Sequence, residues 1–199
     1  KVRWLNVIYR EDGKQRQAPG FFIEQKKRMG KRLGLTQVHE SVIPISSLDH
    51  QFAVTVDLFQ FMIGNTDYSN IQARGGSDCC HNIKLMKQVE EDSEKYIPVP
   101  YDFDNSGIIN AKYASPPALL PIKSVTQRKY RGLCVAGDQL ASSITSFQQL
   151  ENNITALIKT DLILGDRMRK RALKYLASFY NILNNPKKQA RFITNACRS

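Results

Sequence analysis

The sequence predicts an α+β protein in which strands lead and helices follow. Three observations predict it. Residues 2–9 and 20–25 mix β-branched and aromatic side chains on either side of a turn signal. Residues 46–63 carry apolar side chains at spacings of three and four. Beyond about residue 143 the pattern stays helical to the end.

The first two segments read as an antiparallel hairpin with a longish loop. Glu11-Asp12-Gly13-Lys14 supplies the turn residues, and Phe21, Phe22 and Ile23 sit in the second strand. Residues 26–33 form a short basic helix that Gly34 stops. Ser46 or Ser47 caps the long helix. Its face is Leu48, Phe52, Val56, Phe59 and Ile63, widened by Phe61 and Met62, so the helix is expected to be well buried. Asp57 and Gln60 interrupt this longest apolar-rich stretch, and Gly64 ends it. A polar segment, 65–80, contains Gly75-Gly76. Residues 83–86 are short and apolar. Residues 96–101 are strand-like but hold Pro98 and Pro100, which suits an edge or a two-stranded ribbon. Pro116, Pro117 and Pro121 mark irregular chain. Phe147, Leu150, Ile154, Leu157 and Ile158 form one helical stripe. Met168, Ala172, Leu176, Phe179, Tyr180 and Leu183 form another, closed by Asn184-Asn185-Pro186. A last short helix covers 187–196.

Composition narrows the functional classes. The 199 residues are 42% hydrophobic, enough for a real core and too many for wholesale disorder. No apolar run approaches the roughly 18 residues of a membrane span. The chain opens at Lys1 without a signal-peptide pattern, so a piece of something longer is expected. Net charge is +11, but it is unevenly spread: +6 over 1–45, −5 over 46–115 and +10 over 116–199. An acidic middle between basic flanks suits a metal or phosphate site in a basic frame. A nucleic-acid-binding protein would rest on net charge alone, since zinc-finger, helix-turn-helix and RNP-like patterns are missing; nucleic acid is an unlikely partner. Cys79, Cys80, Cys134 and Cys197 contain no CxxC pair, which argues against zinc. Cys79-Cys80 is vicinal and strained as a bridge. Cys134 and Cys197 are the candidate structural disulfide, with four reduced thiols as the alternative. An oxidised pair would suit an extracytoplasmic compartment.

The chemistry concentrates in the acidic middle. Asp67 follows the end of the buried helix, Asn82 begins the short strand, and Asp102 follows the Pro-containing strand. Two carboxylates and an amide oxygen suit Mg²⁺, which completes its shell with phosphate and water. Asp104 would share a face with Asp102 on a strand. Phosphoryl transfer asks for one carboxylate to orient the attacking hydroxyl and for an Asp and an Asn to hold metal. Asp67, Asn82 and Asp102 match that set in type and order, with His81 or Asn70 as competitors for the place of Asn82. The Asp67–Asn82 separation is 15 residues, against about five in ordinary protein kinases. The segment Gly75-Gly76-Ser77-Asp78 reads as an insertion able to bulge out. His81 alone reads as a packed or surface histidine, and Lys84 as solvated. Arg128-Lys129-Tyr130-Arg131 follows at the distance of a substrate-binding segment, where Arg128 and Arg131 would hold a phosphate or an acidic peptide. Arg167-Met168-Arg169-Lys170-Arg171 reads as the solvent face of an amphipathic helix.

Asn65-Thr66-Asp67, Asn82-Ile83-Lys84-Leu85 and Tyr101-Asp102-Phe103-Asp104 resemble the catalytic half of the spore-coat protein H (CotH) kinase family, an atypical branch of the kinase-like fold also similar to HipA-like kinases. The opening segments Val2-Arg3-Trp4-Leu5 and Gly20-Phe21-Phe22-Ile23-Glu24 are similar to the strand pair that leads into that family's nucleotide hinge. The resemblance covers roughly residues 1–110. It implies a hinge hairpin and short helix over 1–34. A helical C-lobe over 35–199 would carry a catalytic loop at 64–86 and a metal motif at 96–107. It implies Asp67 as catalytic base, Asn65 as brace of the catalytic loop, and Asn82 and Asp102 as metal ligands supported by Asp104. Glu24 and Gln25 would lie near the hinge that holds adenine. The implied cofactors are ATP and Mg²⁺, or Mn²⁺, and the implied acceptor is a protein hydroxyl. Most of the family's N-lobe, including its phosphate-binding Lys, would precede Lys1. An inactive kinase-like binding module is the alternative.

Overall fold

The structure, a computed structural model, describes residues 1–73, 79–89, 95–135 and 138–198. Strand β1 (Val2–Glu11) pairs antiparallel with β2 (Lys14–Ile23), from Val2↔Ile23 to Glu11↔Lys14. Asp12 and Gly13 alone connect them, at φ 47° and 73°. Asp-Gly is the pair that tight type I′ hairpins favour. The longish loop expected between the strands is therefore replaced by a two-residue turn, and the strands run on through 10–19. Nearly every residue of the ribbon is exposed, on both faces.

Helix α1 (Lys26–Leu33) ends at Gly34, which takes the left-handed conformation as its cap. A second, three-stranded antiparallel sheet has the order β3 (Leu35–Gln37), β4 (Ile83–Gln88), β5 (Ile97–Pro100). Its register includes Gln37↔Met86 and Ile83↔Pro100. Helix α2 (His50–Ile63) starts one turn later than the serine signals suggest. Ser46 and Ser47 lie in a 3₁₀ turn, and the Asp49 carboxylate accepts from the Phe52 amide as the N-cap. Gly64 closes the helix at φ 69°.

The tail holds α3 (Gln139–Gln149), α4 (Glu151–Thr160), α5 (Asp166–Leu183) and α6 (Pro186–Phe192). The single stripe read through Leu150 breaks there into α3 and α4. The predicted terminal helix is α6 followed by a 3₁₀ turn, Thr194–Ala196. Among the described residues no helix is long and apolar enough to cross a membrane.

Helix α2 lies between two apolar clusters, as a helix apolar around most of its circumference must. Val54, Leu58, Phe61 and Met62 pack with Ile144, Phe147, Leu176, Phe179 and Leu183 of the helical tail. Ala53 and Val56 pack with Leu48, Ile83 and Leu85 toward the three-stranded sheet. All four cysteines are oxidised: Cys134 is bonded to Cys197, and Cys79 to its neighbour Cys80. The first bridge sits beside a backbone clasp in which Arg198 donates to Gly132 at 2.8 Å and accepts from Cys134 at 2.7 Å.

Candidate functional site

Two structural ends converge. The chain leaving α2 turns at Gly64, and Asn65 oxygen Oδ1 accepts from the Asp67 amide at 2.9 Å. That Asx turn fixes the direction of the Asp67 side chain. From the other side, Gly107 and Ile108 donate to the carbonyls of Gly64 and Ile63 at 3.1 and 3.0 Å. The segment 102–105 is thereby held against the helix end. Gly107 permits the approach: a Cβ there would run into the Val125 carbonyl and the Tyr175 hydroxyl.

Asn82 and Asp102 meet at one end of the β4–β5 ribbon, where Tyr101 donates to the Asn82 carbonyl at 3.0 Å. Both residues are left-handed, at φ 54° and 59°, a conformation that Asn and Asp tolerate better than most and that recurs at functional sites. The expectation that Asp102 and Asp104 share a strand face is corrected: β5 stops at Pro100. Their proximity comes from the turn after it, where Asp104 lies close enough for its charge to act on the Asp102 carboxyl.

The Asp67 carboxylate is the hub. Its Oδ1 lies 2.8 Å from His81 Nε2. Its Oδ2 accepts from the amide nitrogens of Asn82 and Asn105, both at 3.3 Å. Asn82 also donates to the Asp67 backbone carbonyl at 2.8 Å, so its amide oxygen is the end turned away from Asp67. Asn105 reaches Asp104 as well, at 3.2 Å. Burial raises the pKa of Asp102, and the Asp104 and Asp67 charges raise it further. Asp104 accepts a hydrogen bond from Tyr113, which raises that phenol. Asn65, Asp67, Asn82, Asp102 and Asp104 are thus brought together, joined by His81 and Asn105. Lys84, expected in solvent, is partly buried, with Nζ 4.9 Å from the Tyr101 ring centroid.

Three carboxylates and two amides present hard oxygens, the donor type that Mg²⁺ prefers. The crowding that raises Asp102 is what a cation would relieve. Among the described residues no group of three or more His, Cys, Asp or Glu is spaced to hold a metal by itself. A cation here would depend on the amide oxygen of Asn82 and on ligands from outside the protein.

Other predicted residues fall elsewhere. Glu24 binds Arg32 through two hydrogen bonds, 2.6 and 3.0 Å, and the amino terminus at 3.0 Å. Arg32 and then the terminus hold its carboxyl down at about 2. Gln25 is the N-cap residue of α1. Neither bonds to the Asp67 cluster. Arg128, expected at a phosphate or acidic peptide, is turned inward. It donates to the carbonyls of Phe61, Met62 and Tyr175 at 3.0, 2.9 and 2.7 Å, and to the Ser178 hydroxyl at 2.6 Å. Its guanidinium lies 3.6 Å from the Tyr175 ring centroid, and burial lowers its pKa to about 10. It closes the carbonyl end of α2. Arg131 donates to the Thr66 carbonyl, next to Asp67. In the basic run, Arg169 pairs with Asp166 at 2.6 Å and Arg171 donates to the Ile109 carbonyl. The proposed bulge at Gly75-Gly76-Ser77-Asp78 lies outside the described residues.

Sequence reasoning did not give Asp57 a role. It is fully buried on α2 and accepts from Tyr68 and Asn70, each at 2.8 Å, and from the Leu133 amide at 3.2 Å. It therefore ties the loop after Asp67 to the segment that carries Arg131. Burial raises its pKa to about 6, against the lowering effect of those donors. The available signal was a carboxylate inside a helix apolar around most of its circumference, which must find partners when buried.

Compared with models of known protein families, with curated proteins and with solved structures, the chain matches none.

Proposed function

We propose that this chain is the hinge and C-lobe of a kinase-like phosphotransferase that uses ATP and Mg²⁺ to phosphorylate a hydroxyl acceptor on a protein. The observation that carries the reading is the clamped Asp67 carboxylate. It is oriented by Asn65, Asn82, Asn105 and His81 and set beside Asp102 and Asp104. Asp67 would orient the acceptor hydroxyl and take its proton. Asn82 and Asp102, supported by Asp104, would hold the divalent cation, which supplies charge neutralisation at the phosphates. Asn65 would keep the loop in register. Glu24 and Gln25 begin the connection between hairpin and α1, the place of a nucleotide hinge in this reading.

The test is phosphate transfer from radiolabelled ATP to candidate proteins by the full-length natural protein. Asp67→Asn and Asp102→Asn are each expected to lower turnover by at least about 10²-fold. Activity that survives both substitutions sinks the reading. A non-catalytic kinase-like binding module is favoured by one observation: among the described residues Asp67 is already bonded by the side chains of His81, Asn82 and Asn105. Nucleotide binding without any metal-dependent turnover would select that alternative.

A further inference from the structure

We propose that the open edge of β1 pairs antiparallel with the same edge of a second copy of this chain, giving a two-fold sheet in the order β2–β1–β1–β2. The inference is independent of the phosphotransferase reading. The ribbon has two strands, so each strand has one open edge. The two-residue turn makes Glu11↔Lys14 a hydrogen-bonded pair, and bonded pairs alternate with unbonded ones along an antiparallel ladder. The Glu24 amide donates to the Lys1 carbonyl at 2.9 Å, which keeps the same alternation at the far end. The backbone amides and carbonyls of Val2, Trp4, Asn6, Ile8 and Arg10 therefore point away from β2.

The two edges differ. The outward-pointing residues of β2 are the partners of those five, and Pro19, opposite Asn6, is among them. Proline has no amide to donate, so the β2 edge is blunted at its middle. The β1 edge holds no proline, and apart from Leu5 and Val7 every residue of the strand is exposed. Unpaired backbone groups in such a run are a template for another strand. Side chains decide which strand fits. With a two-fold axis at Asn6, Trp4 of either copy lies opposite Ile8 of the other, Leu5 opposite Val7, Arg3 opposite Tyr9 and Val2 opposite Arg10. Arg3 also comes diagonal to Glu11 on the same face. Aromatic–aliphatic and apolar pairs support a ladder, and no like charges stand opposite one another. Trp4 and Ile8, now 58% and 50% exposed, lose contact with water in the pairing. This register is the one that pairs β1 with itself from Val2 through Arg10. The strand is thus complementary to itself along its length, as an isologous contact requires.

Sedimentation equilibrium and hydrogen exchange on the full-length protein test this. A concentration-dependent dimer is expected, of the weak class that one strand edge supports. As the dimer fills, amide exchange should slow at Trp4, Asn6 and Ile8 but not at Gln17 and Phe21 on the β2 edge. Asn6 is exposed in the single chain, so Asn6→Lys should leave the melting temperature of the monomer unchanged. In the dimer it sets two cations directly opposite each other and should weaken association at least about tenfold. An equal mixture of Asn6→Lys and Asn6→Asp proteins should form a heterodimer tighter than either variant forms with itself. A protein that stays monomeric at every concentration overturns the proposal. That includes a monomer whose β1 edge amides are protected, since another segment of its own chain then covers the edge. A dimer that leaves those amides unprotected also overturns it, because the copies would then meet through a ribbon face or elsewhere. So does a dimer indifferent to Asn6→Lys. Should that variant fail to fold, the exchange pattern of the unmodified protein decides alone.

Discussion

The β1–β2 ribbon and helix α2 are held in opposite ways. The ribbon is regular, fully paired and almost unburied: Trp4 is 58% exposed and Phe22 67%. Its stabilising contacts are local, such as the Trp4–Phe21 edge-to-face pair at 5.5 Å. Helix α2 is buried from both sides and carries a charged residue in its interior. Strand pairing can be specified by neighbours in sequence. A buried carboxylate cannot, because its partners must arrive from distant segments; Leu133 is 76 residues from Asp57. The difference teaches where perturbation should travel: changes in the ribbon stay local, and changes under α2 reach the site.

The largest expected effect is at Asp57. Asp57→Ala leaves the Tyr68 hydroxyl, the Asn70 amide and the Leu133 amide without their acceptor, and should cost about 3–5 kcal/mol in denaturant unfolding. It should also lower Asp67-dependent turnover. The two regions also predict opposite pH responses. The folded-state pKa of Asp57 is raised to about 6 from 3.8, so its favourable contribution is full below 3.8 and is lost as pH rises through about 6. Glu24 is lowered to about 2 from 4.5, so its contribution is present above 4.5 and lost as pH falls through about 2. Between about pH 6 and 4.5, acidification should therefore stabilise through Asp57 alone of the two, and Asp57→Asn should flatten that slope. An unchanged slope breaks the comparison.

Next in size is Arg128→Met, which keeps the apolar stem and removes the donors to Phe61, Met62 and Tyr175. A loss of about 2–3 kcal/mol is expected, with amide exchange rising at the end of α2 rather than in the ribbon. The smallest effect is Trp4→Ala, about 1 kcal/mol or less. Its hydrogen-exchange changes should be confined to residues 1–24. A shift reported at Asp67 would show that the ribbon is coupled to the site after all.

What the sequence made legible follows the same division. Periodicity located α2 and the helical tail, and Gly34 and Gly64 marked the ends of α1 and α2. Asp-Gly carried the turn chemistry for a tight hairpin. Residues 10–19 lack the β-branched and aromatic content of 2–9 and 20–25, yet Lys14, Gln15, Arg16 and Gln17 lie in strand β2. They are tolerated because both faces of the ribbon meet water. Asn65, Asp67, Asn82, Asp102 and Asp104 were legible as a set through their positions after element ends. The contacts of His81, Asn105 and Arg198 were not, since each depends on long-range closure. Arg128 was misplaced for a related reason: a guanidinium that caps carbonyls inside the fold and one that waits for a ligand have the same local sequence.

The bridge between Cys134 and Cys197 spans 63 residues, and α3 to α6 all lie within that span. Mechanically, those helices form a side loop off the main line of the chain. Tension applied at Arg198 would pass through the sulfur bridge and the Gly132–Arg198 clasp directly into the segment that carries Arg131, bypassing every helix in between. Cys197 and Arg198 are thus a short handle on the candidate site, and the four helices are ballast that the handle does not pull.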